Sequence, residues 1–174
     1  MTDPEPAVPA PQRNMLEEFL DSWDKNNIIV LNLLKALPPG ALGIKPMDGS
    51  LTLGQHFSHL HSVRLDLVKE NAPDVVTDAT ADEWADERDP ARHTAQLEES
   101  SRVVREAVAS RVASGRAMNL HYDSPLLLIQ HLLWHEAYHY GQIKLALKLA
   151  GQALPDKEMG RVSWGVWMRR TKQP

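Results

Sequence analysis

The chain has 174 residues, with 23 acidic and 19 basic side chains, a net charge of −4 and a pI near 6.0. That length supports one domain with a sizeable core, and scattered lysines and arginines under a net negative charge provide no electrostatic footprint for nucleic acid. There is no cysteine, hence no disulfide, no thiolate metal ligand and no thiol nucleophile belonging to the protein, so any thiol chemistry must use a substrate's sulfur. The start of the chain has no signal-peptide pattern and no apolar run reaches about eighteen residues, so a soluble cytoplasmic protein without membrane contact is expected.

Residues 1–12, MTDPEPAVPAPQ, contain four prolines and almost nothing to bury, which predicts a disordered tail ahead of a single domain over 13–174. From Arg13 to Leu37, Met15, Phe19, Trp23, Ile28, Leu31 and Leu34 recur at helical intervals until Pro38-Pro39-Gly40 ends the first helix. Ser50 is suited to cap a second helix, in which Leu53, Phe57, Leu60, Val63 and Leu67 share a face as far as Asn71-Ala72-Pro73. Residues 73–90 carry Asp74, Asp78, Asp82, Asp86 and Asp89 and read as a long, solvated connection with a turn of helix around Trp84. No calcium-loop spacing is present. A third helix is predicted from Ala91 to Ala113, with Leu97, Val103, Val104, Ala107 and Val112 as its stripe and Gly115 at its end. Ser124-Pro125 opens a fourth, which continues to Gly151 and, being apolar on most of its circumference, is expected to be the most buried. A short tail with Trp164 and Trp167 closes the chain. No β-alternation occurs, and the fold class is all-α: four antiparallel helices with one long crossover.

Six of the eight histidines form two groups, His56, His59 and His61 on the second helix and His131, His135 and His139 on the fourth. Histidines four apart project from one helix face one turn apart, so His135 and His139 form a ready half-site for a divalent ion that accepts neutral imidazole. A lone histidine in an apolar helix is more often a hydrogen-bonded core residue, but burying two unpaired imidazoles is costly, which favours a metal. The third ligand is expected from the second helix. The helical wheel of that helix favours His56, with His61 on the other flank of the apolar arc and His59 nearer its edge. For His131 a packed or surface position is expected.

HEAYH also matches H-E-x-x-H, in which the glutamate is the general base of a zinc protease. The positions where a metzincin places its glycine and third histidine are Gln142 and Leu145, and no sheet is predicted to hold a peptide, so a protease is disfavoured. Glu136 remains the one catalytic candidate, as a base toward a metal-activated water, with an acceptor for a ligand's second nitrogen and a plain helix charge as alternatives.

The segments LTLGQHFSHLHSVR and HEAYHYGQIKLALKLAGQALP, with a terminal W-G-V-W, resemble the DinB/YfiT-like family over nearly the whole chain from about residue 15. The resemblance implies a four-helix bundle with an unusual crossover. It also implies a divalent metal, zinc or nickel first and iron or manganese next, held by one histidine of the second helix and an H-x-x-x-H pair of the fourth. Carried onto this chain, the ligands are His59, His135 and His139, with His56 and His61 as supporting or substrate-contacting residues and Gly141-Gln142 as the family's glycine-glutamine. Tyr140 departs from the arginine that many members carry there. Three histidines leave a position open, the catalytic arrangement. Similar proteins include thiol S-transferases, so the chemistry implied is activation of a low-molecular-weight thiol for attack on a small-molecule substrate. A metal-dependent hydrolase and a non-enzymatic stress-response binding bundle are the alternatives. Similar bundles often form homodimers, although no stripe in the sequence reveals an interface.

Overall fold

A computed structural model describes residues 14–75 and 81–168. The segment expected to be a proline-rich tail and the last residues of the chain lie outside it, as does Asp78 of the acidic connection. All regular elements among the described residues are helical: α1 (Met15–Ala36), a short 3-10 turn (Ala41–Gly43), α2 (Leu53–Asn71), α3 (Pro90–Ser114), α4 (Pro125–Leu149), α5 (Asp156–Val162) and α6 (Trp164–Met168).

Local chemistry sets the helix limits. Asn14 and Glu17 form a capping box that closes the first turn of α1. Ser50 does not cap α2: its hydroxyl donates to the Met47 carbonyl at 2.7 Å in the preceding turn. Thr52 takes the cap instead, reciprocally bonded with Gln55. This is the stronger device because it satisfies two orphan groups at once. Asp89 and Pro90 start α3, and Gly115, at φ +63, ends it in the left-handed conformation that glycine adopts without strain. Ser124 and Pro125 open α4.

The buried apolar residues fall into two clusters, one joining Leu20, Trp23, Leu65, Val68, Val104, Val108, Leu128 and Leu132, the other Val30, Leu33, Leu53, Phe57, Leu97, Ile143 and Leu147. Traced through both, α1 and α4 run in one direction and α2 and α3 in the other. The helices are therefore not all antiparallel to their neighbours. The chain goes up, down, down and up, and the long α2–α3 crossover exists because two parallel neighbours need a return path along the bundle. α1 and α2 each pack against α3 and α4.

Between the apolar clusters lies a polar layer. Arg64, fully buried, donates from Nε to Glu136 Oε1 at 2.7 Å and from Nη2 to Oε2 at 2.9 Å, and from Nη1 to Asn27 Oδ1 and the Leu97 carbonyl. Asn26 Nδ2 donates to Glu136 Oε2 at 2.6 Å, and the Arg64 guanidinium lies 4.8 Å from the Trp23 ring centre. Each guanidinium nitrogen of Arg64 and both carboxylate oxygens of Glu136 have a partner, the condition under which buried charges are tolerated.

α4 departs from the expectation that it would be the most buried helix. Trp134 is 79% exposed, and Tyr138, Leu145, Leu149 and Leu127 are exposed with it, whereas α2 is buried on most of its length. One bundle core can cover only part of a helix's circumference, so the apolar residues of α4 beyond that arc face outward.

Candidate metal centre

α2 and α4 pack side by side, and at the level of the polar layer their histidines meet. His59 Nε2 lies 3.2 Å from His135 Nε2, and His139 Nε2 lies 3.2 Å from the same atom. The ligand atoms of His59, His135 and His139 all lie within 4.8 Å of one another, the group among the described residues that could hold a metal ion. Tetrahedral zinc with nitrogens at 2.0–2.1 Å needs nitrogen–nitrogen separations of about 3.3 Å, so two of the three edges match such an ion.

The outer nitrogens of two rings have partners. His59 Nδ1 is 2.9 Å from Glu83 Oε1 and donates to it, which directs Nε2 toward the cluster. His139 Nδ1 is 2.9 Å from His56 Nδ1, and with His139 as donor its Nε2 likewise faces the cluster. His135 Nδ1 is buried without a partner. Burial is the main cause that holds His135 down at about 4 and His139 at about 3, with repulsion from neighbouring imidazoles adding to it. Both rings are therefore neutral at physiological pH, the state in which imidazole ligates. These observations fit a divalent ion with an imidazole donor set.

The remaining histidines divide between support and periphery. His56 is buried and contacts His139 of the cluster, while His61 is buried with its Nδ1 unpartnered. His131 sits on the exposed side of α4, where its Nδ1 is 2.7 Å from the Tyr122 hydroxyl. His93 and His121 take no part in the cluster: His93 Nε2 bonds the Glu87 carbonyl and His121 Nε2 pairs with Glu70. Glu136 is occupied by Arg64 and Asn26, and no hydrogen bond joins it to a histidine of the cluster among the described residues. With no strand among those residues to hold an extended peptide, the zincin arrangement has neither its base nor its substrate platform.

Sequence reasoning did not single out Arg64, although its register announces it. Leu53, Phe57, Leu60 and Arg64 share one stripe, as Leu132, Glu136, His139 and Ile143 do on α4, and opposite charges at two core positions signal a buried pair. It also read residues 73–90 as solvated. Around Trp84 there is a turn without helix, in which Ala85 N bonds the Asp82 carbonyl. Asp74 pairs with Arg111 and Arg116, Asp86 accepts from Thr52 Oγ1 at 2.6 Å, and Glu83 reaches His59. An acidic run gives no sign of which carboxylate folds back.

No helix among the described residues is long and apolar enough to cross a membrane. No curated protein and no solved structure matches the chain. The sequence profile of the DinB family matches residues 11–167. Matched over all but its two ends, and built as an all-helical bundle that gathers three histidines from two helices, the chain belongs to the DinB family.

Proposed function

We propose that this protein is a divalent-metal enzyme whose ion, zinc or nickel, is held by Nε2 of His59, His135 and His139, and that it joins a low-molecular-weight thiol, as its thiolate and through its sulfur, to an electrophilic small molecule. The convergence of imidazole nitrogens from His59, His135 and His139, carried by two helices, is the observation that supports this reading. When bound, a divalent ion there supplies the Lewis acidity that lowers the pKa of a thiol or a water reaching it. The chain contributes the rest. Glu83 and His56 hold protons on the outer nitrogens of His59 and His139, and the Arg64–Glu136 pair fixes α2 against α4 beneath the site. His56 also lines a groove of about 360 Å³ with Pro46, Met47, Leu51, Gln142 and Leu145, suited to the apolar body of a substrate.

The test is conjugation of a chromogenic electrophile with bacillithiol, mycothiol and glutathione, comparing zinc- or nickel-loaded protein with His135→Ala. A metal-dependent rate above the free thiol supports the transferase. Its absence with all three thiols, together with metal-dependent ester or amide cleavage, would move the assignment to a hydrolase.

We further propose a homodimer formed by the outer face of α4. Leu127, Trp134, Tyr138, Leu145 and Leu149 span about 60° of the helical wheel and are all exposed. They offer roughly 600 Å² per copy, so two copies reach about 1,200 Å², the lower bound of a stable interface. Leu145 and Leu149 also border the His56 groove, whose outer side a second copy would close.

A further inference from the structure

The crossover between α2 and α3 passes directly over the histidine cluster. Glu83 Oε1 accepts from His59 Nδ1 at 2.9 Å, and the Trp84 ring stacks on the His59 ring with centroids 4.6 Å apart and planes 12° from parallel. Two anchors hold this segment to the first turn of α2. Gln55 Nε2 donates to the Trp84 carbonyl at 3.1 Å, and Thr52 Oγ1 donates to Asp86 Oδ1 at 2.6 Å. A Cβ on Gly54 would collide with the Glu87 carbonyl, so glycine there is what lets the crossover lie this close to the helix. Two consecutive residues of the turn thus converge on one ring.

We propose that Glu83 and Trp84 are positioning residues of the metal centre: Glu83 fixes the tautomer and rotation of His59, and Trp84 clamps the ring by covering its face. An imidazole on a surface-facing helix turn can present either nitrogen and either ring orientation. The carboxylate removes the first freedom, because a proton held on Nδ1 leaves the Nε2 lone pair free, and it makes that lone pair more basic. The stacked indole removes the second and keeps water from the ring face. His139 gains the equivalent restraint within the helix pair, from His56, and is buried by the bundle. His59, less deeply buried, receives its restraint from the crossover.

This inference rests on His59 being a ligand, and the experiment separates the two. Full-length protein is stripped with chelator and its Zn²⁺ affinity measured by competition with a chromogenic chelator for wild type, Glu83→Ala, Glu83→Gln, Trp84→Ala and His59→Ala. Urea unfolding of each metal-free protein is the control. Glu83→Ala is expected to weaken Zn²⁺ binding at least about tenfold with the metal-free stability unchanged. Glu83→Gln, which keeps an acceptor oxygen, should recover most of that loss. Trp84→Ala is expected to weaken binding several-fold, and quenching of tryptophan fluorescence by Ni²⁺ should be largely absent in Trp84→Phe. If His59→Ala loses zinc while Glu83→Ala and Trp84→Ala bind it like wild type, the positioning role is wrong and the metal site stands. If His59→Ala binds zinc like wild type, the ligand assignment itself fails and the positioning role fails with it.

Discussion

Arg64 and Glu136 meet in the middle of the bundle through two parallel hydrogen bonds, with both side chains withdrawn from water. Such a pair differs sharply from a surface ion pair, because removing one member leaves a charge with no solvent to stabilise it. Glu136→Ala is expected to destabilise the metal-free protein by about 3–5 kcal/mol. Replacing both residues by apolar ones of similar volume, Arg64→Met with Glu136→Leu, should cost far less. Urea unfolding measures both. A loss below about 1 kcal/mol for Glu136→Ala would mean that removing the carboxylate does not leave the guanidinium an uncompensated buried charge.

Metal content should follow the cluster and ignore the other histidines. His59→Ala, His135→Ala or His139→Ala is expected to remove stoichiometric zinc or nickel, whereas His121→Ala and His131→Ala retain it, as read by elemental analysis. If His56→Ala empties the site and His59→Ala does not, the ligand from α2 is His56. The bundle has two apolar cores of its own, so chelated protein should stay helical by circular dichroism. Free ion at one hundred times its dissociation constant should add about 2.7 kcal/mol. A fully unfolded chelated protein would make the metal a structural necessity.

Acid should weaken the metal-free fold over a defined window. Burial first, then neighbouring charges, lowers His135 to about 4 and His139 to about 3, and burial also lowers His56, His61 and His93. In the unfolded chain each titrates near 6.5. As pH falls, the unfolded state takes up protons first, so the histidine contribution to stability is complete above about 6.5 and declines down to about 3, where His139 itself protonates. Below both values the dependence on these groups levels off. Urea midpoints of chelated protein at several pH values give the slope. A flat profile between pH 7 and 4.5 would show these rings to be more solvated than the fold places them.

The outer face of α4 should govern association. Trp134→Lys with Tyr138→Lys introduces like charges at the centre of the stripe, and light scattering is expected to shift from a dimer to a monomer without loss of helix content. A wild-type monomer at high micromolar concentration would remove the assignment of this face to a second copy.

Much of this architecture is legible in the sequence because local chemistry fixes it. The proline and glycine stops, Ser124-Pro125 and the His135–His139 spacing depend only on neighbours along the chain. The choice between His56 and His59 is different in kind. Both rings reach toward α4, but their roles depend on where His135 and His139 come to rest, and α2 is buried so broadly that its apolar arc indicates no direction. The turn at Glu83 was illegible for a related reason. Its carboxylate is one of many in an acidic stretch, and only the path of the crossover, imposed by parallel α2 and α3, brings it to His59. Likewise, an all-round apolar α4 reads as a central helix when the chain is considered alone.

His59 and His135, whose Nε2 atoms stand 3.2 Å apart, are 76 positions apart along the chain, with the whole of the crossover and α3 between them. Closing so long a segment is entropically costly and slow compared with forming any single helix. While the chain folds, α4 can offer its two histidines as soon as it is helical, but that pair alone is a weak chelator with no outer restraint. The third nitrogen arrives only when α2 docks, and its supporting carboxylate only when the crossover has settled. On the metal assignment proposed above, tight ion capture is expected to be a late event in folding, so the rate at which a freshly diluted, denatured sample acquires slowly exchanging metal should report completion of the bundle rather than formation of its helices.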